Sequence, residues 1–214
     1  MTAARARTAH LVVAAVAWFA LVFQLVLVVS GEAILVEDDP PGLVARTYRY
    51  FAYFTIQSNV LVALTSTVLA RRPREDRIGW RAARLAGVVG ITVTALVYFV
   101  LLRGLIELEG ANRLADALLH MVVPALALVV WAWVGPRPRI GAREVAYALA
   151  WPVAWLAWTL VVGQVDGWVP YPFLDAGDDG WGAVAIACTG ITTVFLLLFA
   201  LYAWLDRRLP PAPR

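Results

Sequence analysis

Residues His10–Ser30 read HLVVAAVAWFALVFQLVLVVS, 21 residues without one charge. A helix crosses the hydrocarbon core of a bilayer with about 20 mostly apolar residues. This run is therefore long enough to span. A short basic head with Arg5 and Arg7 precedes it, as in a signal peptide. Its apolar stretch exceeds the roughly 7–15 residues of a signal peptide's core, so a retained span is expected. The following Gly31-Glu32-Ala33 leaves cleavage open as an alternative.

Five more apolar runs follow, at about 51–70, 85–102, 115–134, 144–163 and 181–204. Of 214 residues, 62% are hydrophobic and 15% are charged, against about 25% charged in soluble domains. Mean hydropathy is +0.74. A soluble globule could not hide so much apolar surface. The expectation is an all-α polytopic membrane bundle of six transmembrane helices. It forms one domain over residues 1–206, with a short proline-rich tail at 207–214. No second soluble domain fits in the remaining length.

All 18 basic residues are arginine. With the abundance of Ala, Val and Gly, this suggests a GC-rich bacterial genome, hence a bacterial cytoplasmic membrane. If six helices alternate, Arg5, Arg7, Arg71, Arg72, Arg74, Arg77, Arg81, Arg84, Arg137, Arg139, Arg143, Arg207, Arg208 and Arg214 share one side, 14 of the 18. The other side holds most acids: Glu32, Glu37, Asp38, Asp39, Glu107, Glu109, Asp166, Asp175, Asp178 and Asp179. The positive-inside rule then places both termini in the cytoplasm. A pI near 9.3 is not a nucleic-acid signal here, because the arginines sit at span boundaries rather than in one stripe. One cysteine, Cys188, excludes an intramolecular disulfide, and two histidines, His10 and His120, disfavour a metal cage. At opposite ends of their spans they could not ligate one haem iron.

Polar residues in hydrocarbon must be hydrogen-bonded, and ionisable ones are functional candidates. The second run is the most polar, Phe51-Ala-Tyr-Phe-Thr-Ile-Gln-Ser-Asn-Val60. Thr55, Ser58 and Asn59 fall at i, i+3 and i+4 and share a helix face; Gln57 points elsewhere. These groups can equally serve as interhelical glue. The fourth run holds Asp116 and His120 at i and i+4, so a carboxylate can reach the ring. Pro124 takes the amide partner from the carbonyl of His120 and is expected to open the helix there. Counted from the outer ends, Thr55 lies roughly 6 Å deep and His120 roughly 8 Å. The two are expected to face a common cavity. A hydroxyl nucleophile needs a base, and a neutral imidazole needs its tautomer fixed by a third group. Thr55, His120 and Asp116 supply these types. Asn59, Gln57, Ser58, Tyr98 and Asp175 are candidates for the oxyanion or the substrate. The Tyr171-Pro-Phe-Leu-Asp175 loop is either an interface turn or a cap over the site.

Six spans, Tyr53-Phe-Thr55-Ile-Gln-Ser-Asn59, and His120 followed by Pro124 resemble the androgen-induced-gene family of six-helix membrane proteins, which includes the androgen-dependent TFPI-regulating protein and bacterial relatives. The resemblance covers most of the chain. The Tyr171–Asp175 loop is similar to a segment of the bacterial relatives, as is the Gln57-Ser58-Asn59 run. Animal members are intramembrane threonine hydrolases of fatty acid esters of hydroxy fatty acids. The resemblance implies Thr55 as nucleophile, His120 as its base, a membrane lipid or acyl ester as substrate, and no cofactor. A small transporter or channel, and a non-catalytic assembly protein, remain as alternatives from the residues themselves.

Overall fold

The computed structural model describes residues 3–32, 41–73, 75–105, 107–137 and 139–210. Ala33, Glu37, Asp38, Asp39, Arg74 and Arg214 lie outside the described residues, as do the side chains of Asp178 and Asp179. The described chain is all helical. In order come α1 (Ala3–Ser30), α2 (Leu43–Ala52), α3 (Phe54–Arg71) and α4 (Ile78–Val97), then a π-helical turn Tyr98–Leu102. After these come α5 (Gly110–Ala117), a second π turn Leu118–Val122, α6 (Val123–Val134), α7 (Ala142–Asp166) and α8 (Ala176–Arg208).

Five described helical segments are long and apolar enough to cross a membrane: Ala4–Ser30, Ile78–Leu102, Gly110–Val134, Ala142–Asp166 and Gly180–Arg208. The bent pair of α2 and α3 makes a sixth if it counts as one span. Exposed side chains support a lipid-facing surface, with Val165, Trp133 and Ile186 each at least three-quarters accessible. These are the features of an integral membrane protein. Most segments run past the expected apolar windows because polar end turns continue the helix. The α8 helix reaches Arg208, so Arg207 and Arg208 belong to it rather than to a tail.

The second expected span differs most. It is not a straight helix from Phe51. The chain turns by 66° between α2 and α3, and Tyr53 is extended, with φ −63° and ψ 129°. A break strands carbonyls that would otherwise accept helical amides. Here the Gln57 side chain donates to the Phe51 carbonyl at 3.0 Å, and the Trp155 indole donates to that of Ala52 at 2.9 Å. Tyr50 anchors α2 by donating to the Leu21 carbonyl at 2.8 Å.

In the bundle, α3 packs between α1 and α4, and α4 in turn meets α6, α7 and α8. Close approach is built from small residues, as in membrane bundles generally. A Cβ on Gly90 would stand 2.7 Å from the Trp151 ring, so glycine makes room for that indole. Between the two ends of α3 and α4, Val62, Ala63, Val89 and Ile91 are at most 4% exposed and fill the middle.

The end of the bundle near the α3–α4 and α6–α7 connections is laced by arginines. Arg84 donates to the carbonyls of Gly135 and Pro136. Arg137 donates to those of Trp131, at 2.5 Å, and Pro210, at 3.2 Å. Asp206 accepts the Arg139 and Ile140 amides at 2.6 and 2.9 Å. Arg81 pairs with Glu144 at 2.5 Å. His10 is buried at this end, beside a cavity of about 30 Å³ that Arg84 also lines.

Candidate active site

The opposite end carries the residues singled out in the sequence. Thr55 is the second residue of α3, directly after the break. A helix start leaves its first amides without intrahelical partners, and the Thr55 amide donates to the Tyr171 hydroxyl at 3.3 Å. The Thr55 Oγ1 lies 3.3 Å from His120 Nε2 and 3.4 Å from the Tyr171 oxygen. Thr55 is 7% exposed.

His120 sits in the π turn Leu118–Val122. The opening expected at Pro124 extends back to Leu119. The Val123 amide donates five residues back, to Leu118, and not to Leu119. Proline at 124 has no amide to restore that bond. The freed Leu119 carbonyl is taken by the Asn59 side-chain amide at 3.3 Å. The same Asn59 nitrogen donates to the Thr55 carbonyl at 2.8 Å. Asn59 therefore ties the backbone of Thr55 to the residue before His120. Its Oδ1 is buried and without a hydrogen-bond partner.

Asp116 accepts from His120: Nδ1 and Oδ1 are 2.9 Å apart. That places the proton on Nδ1 and leaves Nε2 as the acceptor facing Thr55. The second Asp116 oxygen accepts from the Tyr98 hydroxyl at 2.6 Å. The Tyr98 ring stacks on the imidazole, with centroids 4.5 Å apart and planes 13° apart. Tyr98 belongs to the other π turn, so both π turns meet at this point. Such turns recur at functional sites because they re-aim side chains.

Most of the oxyanion candidates are committed elsewhere. Gln57 bridges the Phe51 carbonyl and the Trp151 indole. Ser58 donates to the Thr55 carbonyl at 3.0 Å and bonds Thr94 at 2.9 Å. Tyr98 gives its proton to Asp116 rather than toward Thr55. Asp175 caps α8, accepting the Gly177 amide at 2.8 Å. Asn59 has its nitrogen spent on two carbonyls. These groups bond other parts of the protein rather than the Thr55 hydroxyl.

Tyr171 is the residue that sequence reasoning did not single out. It lies 116 positions from Thr55, so no spacing rule connects them; only the loop's aromatic and proline content pointed there. Tyr171 is 7% exposed. Its ring stacks on Phe173 at 5.2 Å and meets Tyr53 edge-on at 5.7 Å. The loop thus covers Thr55 rather than serving only as an interface turn. Burial pushes the Tyr171 phenol up to about 12, partly opposed by its bonds from Thr55.

Beside Thr55 opens a cavity of about 100 Å³, walled by α3, α4, α7, α8 and the Tyr171 loop. Its wall is almost wholly apolar, including Phe54, Val97, Pro152, Leu156 and Phe195. Cys188 is a wall residue here. Thr55 lines this cavity but His120 does not, so the two meet without sharing it. The imidazole sits across α3's first turn, packed under Tyr98.

No family model matches the chain, and neither a curated protein nor a solved structure is found to be similar to it.

Proposed function

We propose that the protein is an intramembrane hydrolase of lipid esters, of the fatty acid ester of hydroxy fatty acid type, with Thr55 as nucleophile, His120 as base and Asp116 as orienting acid. The observation that carries the reading is the chain of contacts Thr55 Oγ1 to His120 Nε2 at 3.3 Å and His120 Nδ1 to Asp116 at 2.9 Å. A hydroxyl, an imidazole and a carboxylate in that order are the parts of nucleophilic acyl transfer.

The hydroxyl attacks the ester carbonyl as its proton moves to Nε2. The imidazolium, held by Asp116, then protonates the departing alcohol oxygen. Water, activated by the same imidazole, releases the acid from the acyl-threonine. The apolar cavity beside Thr55 suits an acyl chain entering from the bilayer.

On this reading α2 and α3 together make the second of six spans, both termini are cytoplasmic, and the site lies in the outer leaflet of a bacterial cytoplasmic membrane. Reporter fusions at Arg77 and Asp178 then report opposite compartments. Broken helices also build transporter sites, which is the second reading. The filled middle layer around Val89 and Ile91 favours hydrolysis over passage.

The test is turnover of long-chain esters by purified protein. Wild type hydrolyses them and Thr55→Ala does not. Substrate-dependent flux in liposomes, unchanged by Thr55→Ala, would instead establish the transporter.

A further inference from the structure

We propose that Tyr171 is a catalytic residue of this site: its phenolic O–H, together with the backbone N–H of Thr55, holds the negative oxygen formed when an ester carbonyl is attacked. The proposal rests on the hydrolase reading above and adds to it the group that receives the developing charge. Acyl transfer places a full charge on the former carbonyl oxygen, and one missing donor typically costs about 10²–10³ in rate.

Elimination leads to Tyr171 first. Gln57, Ser58, Tyr98 and Asp175 are bound to other groups, and the Asn59 nitrogen holds two carbonyls. The donors left beside the Thr55 hydroxyl are the Thr55 amide and the Tyr171 phenol.

Geometry leads there as well. The Tyr171 oxygen is 3.3 Å from Thr55 N and 3.4 Å from Thr55 Oγ1. Both are long for bonds to a phenol, whose usual O···O distance is about 2.7 Å. An oxygen bonded to the same carbon as Oγ1 would lie out of the plane of these three atoms. It can lie about 2.7–3.1 Å from both donors, the range an oxyanion needs, without moving the loop. Before substrate arrives, the phenol oxygen accepts from the Thr55 amide. Once the oxyanion forms, the phenol proton rotates to it, and the amide, fixed by its peptide plane, shares its hydrogen between the phenol oxygen and the oxyanion.

The phenol is fixed and protonated in advance. Phe173, Tyr53 and Trp155 pack around its ring, so the phenol oxygen has one position. Burial keeps its proton on well above neutral pH. The balance of the step is simple. As the Oγ1–carbon bond forms, the Thr55 proton goes to His120 and the carbonyl π pair moves to oxygen. When that pair returns, the bond to the alcohol oxygen breaks and His120 protonates the leaving group. Tyr171 donates a hydrogen bond throughout and keeps its proton.

The experiment compares wild type, Thr55→Ala, Tyr171→Phe and Phe173→Leu in detergent, with a fluorogenic long-chain ester. It also uses two long-chain inhibitors, a trifluoromethyl ketone that forms an oxyanion on the enzyme and an ether that does not. Tyr171→Phe is expected to lower kcat by about 10²–10³-fold with KM within about twofold. It should weaken the ketone by a similar factor and leave the ether unchanged. Phe173→Leu disturbs the packing but keeps the hydroxyl, and is expected to lose far less. Wild-type kcat in Tyr171→Phe overturns the proposal while leaving Thr55 as nucleophile. Equal weakening of ketone and ether also overturns it, because Tyr171 would then only shape the cavity. Absence of Thr55-dependent turnover in wild type removes the hydrolase reading and this proposal with it.

Discussion

The two ends of the bundle use buried polar groups in opposite ways. At the arginine end, Arg84, Arg137 and Arg139 spend donors on carbonyls and a carboxylate of the α3–α4 and α6–α7 connections and of α6. The cavities there hold about 30 Å³ each, little more than one water needs. At the threonine end, Asp116 and His120 are held firmly, while the hydroxyl of Thr55 makes two long contacts at 3.3 and 3.4 Å. Beside it lies the larger apolar cavity. Polar groups bonded firmly to backbone and carboxylates stitch a fold; a hydroxyl with a poised base and long contacts beside an apolar cavity can do chemistry. The difference teaches that burial and charge do not by themselves mark a site. What marks it is a reactive atom whose hydrogen bonds are incomplete next to room for a ligand.

The largest expected effect separates the ends by activity. Thr55→Ala and His120→Ala each lower ester hydrolysis by about 10³–10⁴-fold, and the double variant is little worse, since members of one catalytic unit are not additive. Steady-state turnover of the three variants checks this. Independent, multiplying losses would break the pairing.

Asp116→Asn comes next. The amide can hold the imidazole in the wrong tautomer, so hydrolysis falls by about 10²-fold or more while the fold persists. Both Asp116 oxygens are engaged, by His120 and Tyr98. Equal rates for wild type and Asp116→Asn from pH 5 to 9 would remove Asp116 from the mechanism.

Arg84→Ala sharpens the contrast from the other end. It leaves the Gly135 and Pro136 carbonyls without their charged donor, at about 2–4 kcal/mol of stability. Thermal unfolding in detergent drops accordingly. Activity per folded molecule stays at the wild-type level, because Arg84 lies at the far end from Thr55.

Much of this was legible in the sequence and some of it was not. The apolar runs announce the helices because lipid demands length and composition. The i to i+4 spacing of Asp116 and His120 announces their contact, and Pro124 announces the opened turn around Leu119. The break at Tyr53 has no glycine or proline to mark it. It depends on Trp155 and Gln57 satisfying stranded carbonyls, which is a tertiary matter. Tyr171 reaches Thr55 across 116 positions, so only packing brings it there. Asp175 was legible as an acid near the site, but its place before Ala176-Gly177 is that of a helix cap. The arginines were legible as a boundary signal; that Arg84 and Arg137 turn inward onto backbone carbonyls was not.

The smallest expected effect is in the pH dependence of stability. The folded-state phenol of Tyr171 is raised from the ordinary 10.0 to about 12 by burial. Below 10 both states keep the proton and nothing is lost. Between 10 and about 12 the unfolded chain releases it first, binds fewer protons, and stability falls as pH rises. Tyr171→Phe removes this contribution. Its unfolding temperature should therefore decline less steeply than that of wild type above pH 10. Parallel declines would contradict a buried, protonated phenol.

The central claim is that Thr55 is the nucleophile, and adduct mapping tests it most directly. Purified protein is treated with a lipid-like fluorophosphonate, digested and analysed by mass spectrometry. The account predicts one adduct, on Thr55, absent in Thr55→Ala and strongly reduced in His120→Ala. An adduct on Ser58 or Cys188 instead, or undiminished labelling of Thr55→Ala, would contradict it.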